Sequence, residues 1–271
     1  MPRHHTHAHP HARSHAHAHA HAHIQTIEWG CDDAHLYYLK LDSKSRPFQA
    51  WRHTRGASGS EGDELLYEEN DELFWLGLSK TLDGQFIVII SASTDTSEVW
   101  YVDLRTGSAS PHYLKYGREA ENAGKATVLA PREENTFYEV DHRLGYWYII
   151  TNYQGNANNC LRAVPSVGLT ADSTLSDGWV PVKVPPEDHE GEDADEVEVF
   201  GDGTDTSPGS TMVSRVVCFL DFLVVEGRQG GYTKVWVVPM SRAASADGAR
   251  PRALSWHEVQ FNTEACECEM R

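Results

Sequence analysis

The chain has 271 residues, with forty acidic against twenty-three basic side chains and a net charge of −17, and is long enough for one large or two ordinary domains with a real core. Acidity on that scale repels nucleic-acid phosphates and anionic lipid, which argues against either as a partner. It suits a cationic ligand, or simply aids solubility. No run of about 18 apolar residues occurs, so no transmembrane helix is expected, and the N-terminus lacks the apolar core of a secretory signal. The five cysteines (Cys31, Cys160, Cys218, Cys266 and Cys268) are scattered and odd in number. That pattern fits a reducing compartment better than a disulfide framework, and the chain reads as cytoplasmic.

Residues 1–23 form a first segment holding ten of the sixteen histidines, with His15, His17, His19, His21 and His23 alternating with alanine. Such a tract has no apolar face and is expected to be disordered. Its imidazoles can still chelate Zn, Ni or Cu ions, because a flexible chain wraps several nitrogens round one ion. The expectation is adventitious metal affinity, not a selected metal site.

From Ile24 onward the pattern is strands and turns. Ile24–Trp29, His35–Leu41, Phe48–His53 and Glu64–Tyr67 form a first set of four. The stretch Asp71–Leu104 holds the clearest signals. Phe74–Ser79 is apolar and ends at the turn dipeptide Asp83-Gly84. Phe86–Ile90 is a continuous apolar run and reads as a strand buried on both faces. Thr94–Ser97 turns the chain into Val99–Leu104. The fourth strand of this set is either His112–Tyr116 or Thr127–Leu129, with a glycine-flanked insertion, Gly117–Gly124, between them.

A third set runs Thr136–Val140, a turn at Asp141–Gly145, Tyr146–Asn152, Cys160–Val164 and Trp179–Val184. After the charged linker Pro185–Pro208 comes a fourth: Val213–Phe219, Phe222–Glu226, Thr233–Val238 and Leu254–Val259. Val259–Phe261 could open a fifth. The second strands begin near residues 35, 86, 146 and 222, and four-stranded meanders repeated in this way are the signature of a β-propeller. An irregular β-sandwich is the competing architecture. The repeated long aromatic second strand and short third strand disfavour it. The fold expected for residues 24–271 is therefore all-β, a partial propeller of about four four-stranded antiparallel blades side by side in an open arc. Trp75, Phe86, Tyr146, Trp147 and Phe222 are expected to be mostly buried.

Several phrases in fixed order, FQAWRH, LLYEENDELFWLGLSKT, GQFIVIISASTDTSEVWYVDL, DHRLGYWYIITN and DFLVVEGRQGGYTKVWVVP, resemble the propeller of oligopeptidase B-like members of the prolyl oligopeptidase family of serine peptidases. The resemblance covers about Ile24–Phe261. It departs at the histidine tract, near Gly117–Gly124 and in the acidic segment Glu187–Thr211. It implies a seven-bladed ring capping an α/β-hydrolase domain, with entry restricted to short peptides and cleavage after Arg or Lys. It also implies that nucleophile, acid and histidine lie in the hydrolase domain, beyond the propeller.

The residues themselves assign no catalytic role. No G-x-S-x-G elbow occurs. Gly56-Ala57-Ser58-Gly59-Ser60 comes nearest, but it lies between two strands of one blade. His35, His53, His142 and His257 have no motif behind them and read as strand or turn residues. The carboxylates of Glu187–Glu196 lack calcium-loop spacing, and Cys266 and Cys268 lack placed partners. There is neither a P-loop nor a dinucleotide fingerprint, so no cofactor is expected.

Four blades cannot close a seven-blade ring. A longer gene product is the favoured explanation, ahead of self-completion by dimerising or a degenerate remnant. The expected function is the gating part of an oligopeptidase B-like endopeptidase, with the hydrolase domain and short basic peptides as partners. The alternatives are a non-catalytic binding scaffold and a remnant with a metal-binding tail.

Overall fold

A computed structural model describes residues 24–105, 124–166, 179–182, 210–240 and 256–260. The first sheet has β1 (Ile24–Trp29), β2 (His35–Leu41), β3 (Pro47–Thr54) and β4 (Asp63–Glu68). The second has β5 (Trp75–Lys80), β6 (Phe86–Ala92), β7 (Ser97–Asp103) and β8 (Ala126–Ala130). In the third are β9 (Tyr138–Arg143), β10 (Tyr146–Thr151), β11 (Cys160–Pro165) and β12 (Val180–Pro181). The fourth comprises β13 (Thr211–Cys218), β14 (Phe222–Gln229), β15 (Tyr232–Pro239) and β16 (His257–Glu258). Each sheet is an antiparallel meander with its strands in sequence order. The all-β, four-blade expectation is what the chain adopts.

Strand periodicity explains how the sheets pack. Successive side chains leave opposite faces of a strand, so one buried strand serves two junctions. On β6, Ile87 and Ile89 join Tyr37, Leu39 and Ala50 of the first sheet. Phe86 and Val88 join Trp147 and Ile149 of the third. On β10 the same alternation sends Tyr146, Tyr148 and Ile150 against Leu223, Val225 and Trp236 of the fourth sheet. Three apolar clusters thus hold four sheets in succession. Among the described residues no cluster joins the first sheet to the fourth, and the outward face of the first leaves Ile27 56% and Leu65 42% exposed.

Turn chemistry fixes the hairpins. Asp83 accepts hydrogen bonds from the Thr81 hydroxyl and the Gln85 N–H, and Gly84 takes a φ of +72°, a conformation that costs glycine nothing. Gly227 has a different reason. A Cβ there would collide with the Met212 carbonyl oxygen, which a bulge at Val213/Arg215 brings close. Gly227→Ala is therefore expected to lower the thermal midpoint by several degrees, whereas an alanine at an open turn position costs only its own backbone strain. Parallel thermal melts of Gly227→Ala and Gly155→Ala would check this.

Some expected elements shift. The fourth strand of the second sheet is Ala126–Ala130, which fits the Thr127–Leu129 option, and His112–Tyr116 lies outside the described residues. The turn expected at Asp141–Gly145 shrinks to Leu144-Gly145, because β9 continues to Arg143. Of the expected Val259–Phe261 strand, Phe261 lies outside the described residues and Val259 joins the fourth sheet. Its N–H bonds the Val235 carbonyl at 2.8 Å, at the edge of the fourth sheet.

Two aromatic expectations are corrected. Trp75 is 56% exposed, because Leu76 and Leu78 take the parity that faces the first sheet. Phe222 is half-buried on the outward side of the fourth sheet, stacked on Phe219 with ring centroids 4.7 Å apart. Phe86, Tyr146 and Trp147 are buried as expected.

Candidate functional site

One set of polar contacts lies where sheets meet, at the turns between first and second strands. At the first junction the Cys31 thiol donates to the Gly84 carbonyl at 2.5 Å, and Lys80 Nζ donates to the Trp29 carbonyl at 3.0 Å. At the next two, the consecutive residues Asp141, His142 and Arg143 each engage a neighbouring sheet. Asp141 accepts the Cys218 N–H at 2.7 Å, and Arg143 donates to the carbonyls of Phe219 and Leu220. His142 is fully buried, with Nδ1 2.6 Å from an Asp83 carboxylate oxygen and Nε2 3.2 Å from the Ser166 hydroxyl.

Ser166, His142 and Asp83 follow the order of a serine-hydrolase triad. The ionised Asp83 can only accept, so Nδ1 carries the proton and Nε2 accepts from Ser166. Acyl transfer also needs access and an oxyanion site. Neither is provided among the described residues. The imidazole is enclosed by Phe86 and Trp147, at ring-centroid distances of 4.6 and 5.0 Å. The Ser166 N–H, which a nucleophilic serine could aim at an oxyanion, is committed to the Gly145 carbonyl at 2.8 Å. The trio therefore pins the second sheet to the third.

At the opposite end, Arg132 does similar work between the first two sheets. Its guanidinium bonds Glu69 at 2.5 Å and Ser91 at 3.0 Å and lies 3.6 Å over the Phe74 ring. Glu69 also accepts from the Tyr67 hydroxyl and the Asp71 N–H. Nearby, Arg46 donates to the carbonyls of Asp71, Phe74 and Glu69, tying down the link between the first two sheets.

These contacts set the acid response. Burial works to raise the Asp83 and Glu69 pKa values. Bonds from His142 to Asp83, and from Ser91 and Arg132 to Glu69, outweigh it and hold both carboxylates below their usual range. Their contribution is complete above about pH 5 and fades as pH falls through the folded values. Asp141 has the opposite sign. Burial raises its pKa, so its ionisation costs stability as pH rises through the carboxylate range. Since protonation of Asp83 and Glu69 weakens their bonds from His142, Ser91 and Arg132, the thermal midpoint is expected to be lower at pH 3 than at pH 7. A midpoint that rose on acidification would mean that Asp141-type burial dominates.

A cleft of about 230 Å³ opens between the first and second sheets, lined by Cys31, Asp32, His35, Tyr37, Arg52, Asp103, Leu104 and Gly124. Asp32 holds its wall rigid. One carboxylate oxygen accepts the N–H groups of Ala34 and His35, and the other lies 2.5 Å from His35 Nδ1. Arg52 crosses the floor to the Gly124 carbonyl and pairs with Glu64.

Of the residues considered from sequence, Ser58 is exposed in the loop before β4. His35 and His53 pair with Asp32 and Asp63, and His257 lies on β16. The structure thus joins His142 to Asp83 and Ser166, which the sequence reading leaves apart. The available signal is the polar run Asp141-His142-Arg143 ending a strand beside a buried aromatic one, where polar groups need partners. His15, His17, His19, His21, His23, Glu187–Glu196, Cys266 and Cys268 lie outside the described residues. Among the described residues no cluster of three or more His, Cys, Asp or Glu could hold a metal, and no helix is long and apolar enough to cross a membrane.

Comparison with known proteins agrees with this geometry. The family model described as prolyl oligopeptidase, N-terminal beta-propeller domain, matches residues 18–185. Protease 2 of Moraxella lacunata is 29% identical over 214 residues, 79% of this chain and 24% of that protein. Dipeptidyl aminopeptidase BI of Pseudoxanthomonas mexicana is 34% identical over 154 residues, 56% of this chain and 18% of that one. Oligopeptidase B from Leishmania major superposes with a TM-score of 0.62 at 26% identity, covering 88% of this chain and 27% of that one. The chain thus matches between 18% and 27% of the length of these relatives. With the matched model covering more than half of its residues, the chain belongs to the prolyl oligopeptidase family, as part of its N-terminal β-propeller domain.

Proposed function

We propose that the chain is the gating portion of an oligopeptidase B-like serine endopeptidase that cleaves short peptides after basic residues. An α/β-hydrolase domain outside this chain supplies the chemistry. The observation that carries this reading is the run of four propeller sheets whose first sheet leaves an apolar outward face, with Ile27 and Leu65 exposed. Such a face is suited to a further blade. The charge of −17 favours the approach of basic peptides over acidic ones, and the location that goes with this reading is cytoplasmic.

The test is complementation. Co-expressed with a polypeptide carrying the remaining blades and a hydrolase domain, the chain should yield a complex that releases fluorophore from an Arg-Arg substrate in preference to a Glu-Glu one. A complex that forms without activity would favour a binding scaffold. The same proposal treats His15, His17, His19, His21 and His23 as an adventitious metal ligand set. Removing residues 1–23 is expected to abolish retention on immobilised nickel and leave the thermal midpoint unchanged, as a resin assay and a melt would show.

A further inference from the structure

The cleft between the first two sheets lies beside the Cys31 and Arg52 contacts that join them, and its walls carry further polar groups. The charges that line it are mostly spoken for. Arg105 folds back on Asp103 through bonds of 2.9 and 2.6 Å. Arg52 is paired with Glu64 and bonded to the Gly124 carbonyl. Among the described residues, Asp32 is bonded by His35 and two backbone N–H groups, and Asp33 beside it is exposed. A carboxylate has about four lone-pair sites, so Asp32 retains accepting capacity toward the cleft. Leu104 gives one apolar wall, and Leu82, 56% exposed, stands on the turn whose Gly84 carbonyl holds Cys31.

We propose that this cleft binds the cationic side chain of a short peptide, with the guanidinium or ammonium group on Asp32 and the flanking apolar residues against Leu104 and Leu82. Burial is the main cause that raises the Cys31 thiol pKa; Lys80 is the largest charge acting there and opposes it, and Asp32, Asp83 and Asp33 add to the rise. Lys80 itself is tied to the Trp29 carbonyl. This inference rests on the proposed basic-peptide function and adds a binding place for such peptides on the propeller itself.

The probe is a fluorescein-labelled Ala-Leu-Arg-Ala peptide, with a second peptide in which citrulline replaces Arg as the neutral control. Anisotropy titration of the full chain should show saturable binding of the first. Binding should weaken about tenfold or more with the citrulline peptide, and likewise in Asp32→Asn, which retains one turn-forming oxygen. Because Cys31 lines the cleft and is exposed, bound peptide should also slow its modification by N-ethylmaleimide, read by mass spectrometry of the Cys31 fragment. Equal affinity for the two peptides, or Cys31 modified at the same rate with and without saturating Arg peptide, would overturn the assignment. The complementation activity could survive either result, so failure of the cleft and failure of the gating function are separable.

Discussion

Phe86→Ala is expected to destabilise the chain by about 3–5 kcal/mol, a large share of the 5–15 kcal/mol that holds typical domains folded. Phe86 is fully buried at the start of β6, where the second and third sheets meet. Its ring lies 4.6 Å from Trp147 and from His142 and 5.6 Å from Tyr101, and the Arg105 guanidinium covers it at 4.7 Å. Truncation would therefore open a cavity beside the enclosed imidazole, and the Asp83–His142–Ser166 pin would lose its packing as well as its apolar shield. Trp75→Ala is the control. Trp75 is a larger aromatic on the same sheet but 56% exposed, and it should cost well under half as much. Urea titrations of the two variants should separate their midpoints clearly. Equal midpoints would mean that the second junction is not the tightly packed one.

That contrast also shows how far the sequence is readable. A strand buried on both faces is a run of apolar residues with no polar alternation, and Phe86–Ile90 announces itself in that way. Burial of an aromatic on a first strand depends on which parity faces a neighbouring sheet, so Trp75 and Leu76 cannot be told apart without the packing. Leu144-Gly145 illustrates a second limit. The polar run before it reads as part of the turn, since Asp and Arg favour exposed positions. Asp141, His142 and Arg143 extend the strand because adjacent sheets supply a carboxylate and backbone partners 59 to 77 residues away in sequence. Long-range pairing of that kind leaves no local pattern. The cleft shares the problem, since Asp32 and Asp103 belong to different sheets and no spacing rule links them.

The isolated chain is expected not to hydrolyse peptides and not to react with a fluorophosphonate probe. Acyl transfer by serine requires a nucleophile, a base within hydrogen-bond reach and donors aimed at the developing oxyanion. Under the proposed function these come from the hydrolase domain outside this chain, and no G-x-S-x-G elbow occurs in the sequence. Of the serines considered, Ser58 is exposed, but it stands four residues beyond β3 and before a single 3-10 turn, Gly59–Gly62, not on the sharp strand-to-helix elbow of a hydrolase. Ser166 has the base and the orienting carboxylate but is buried, and its N–H is bonded to Gly145. A probe must reach the hydroxyl in line with its leaving group, and burial of both Ser166 and His142 obstructs that approach. Incubation with a fluorophosphonate followed by intact-mass analysis should therefore show no adduct, while the complemented complex should label on the partner polypeptide. Stoichiometric labelling of this chain alone would falsify the reading of the trio as a structural pin, and Ser166→Ala would then test whether Ser166 is the nucleophile.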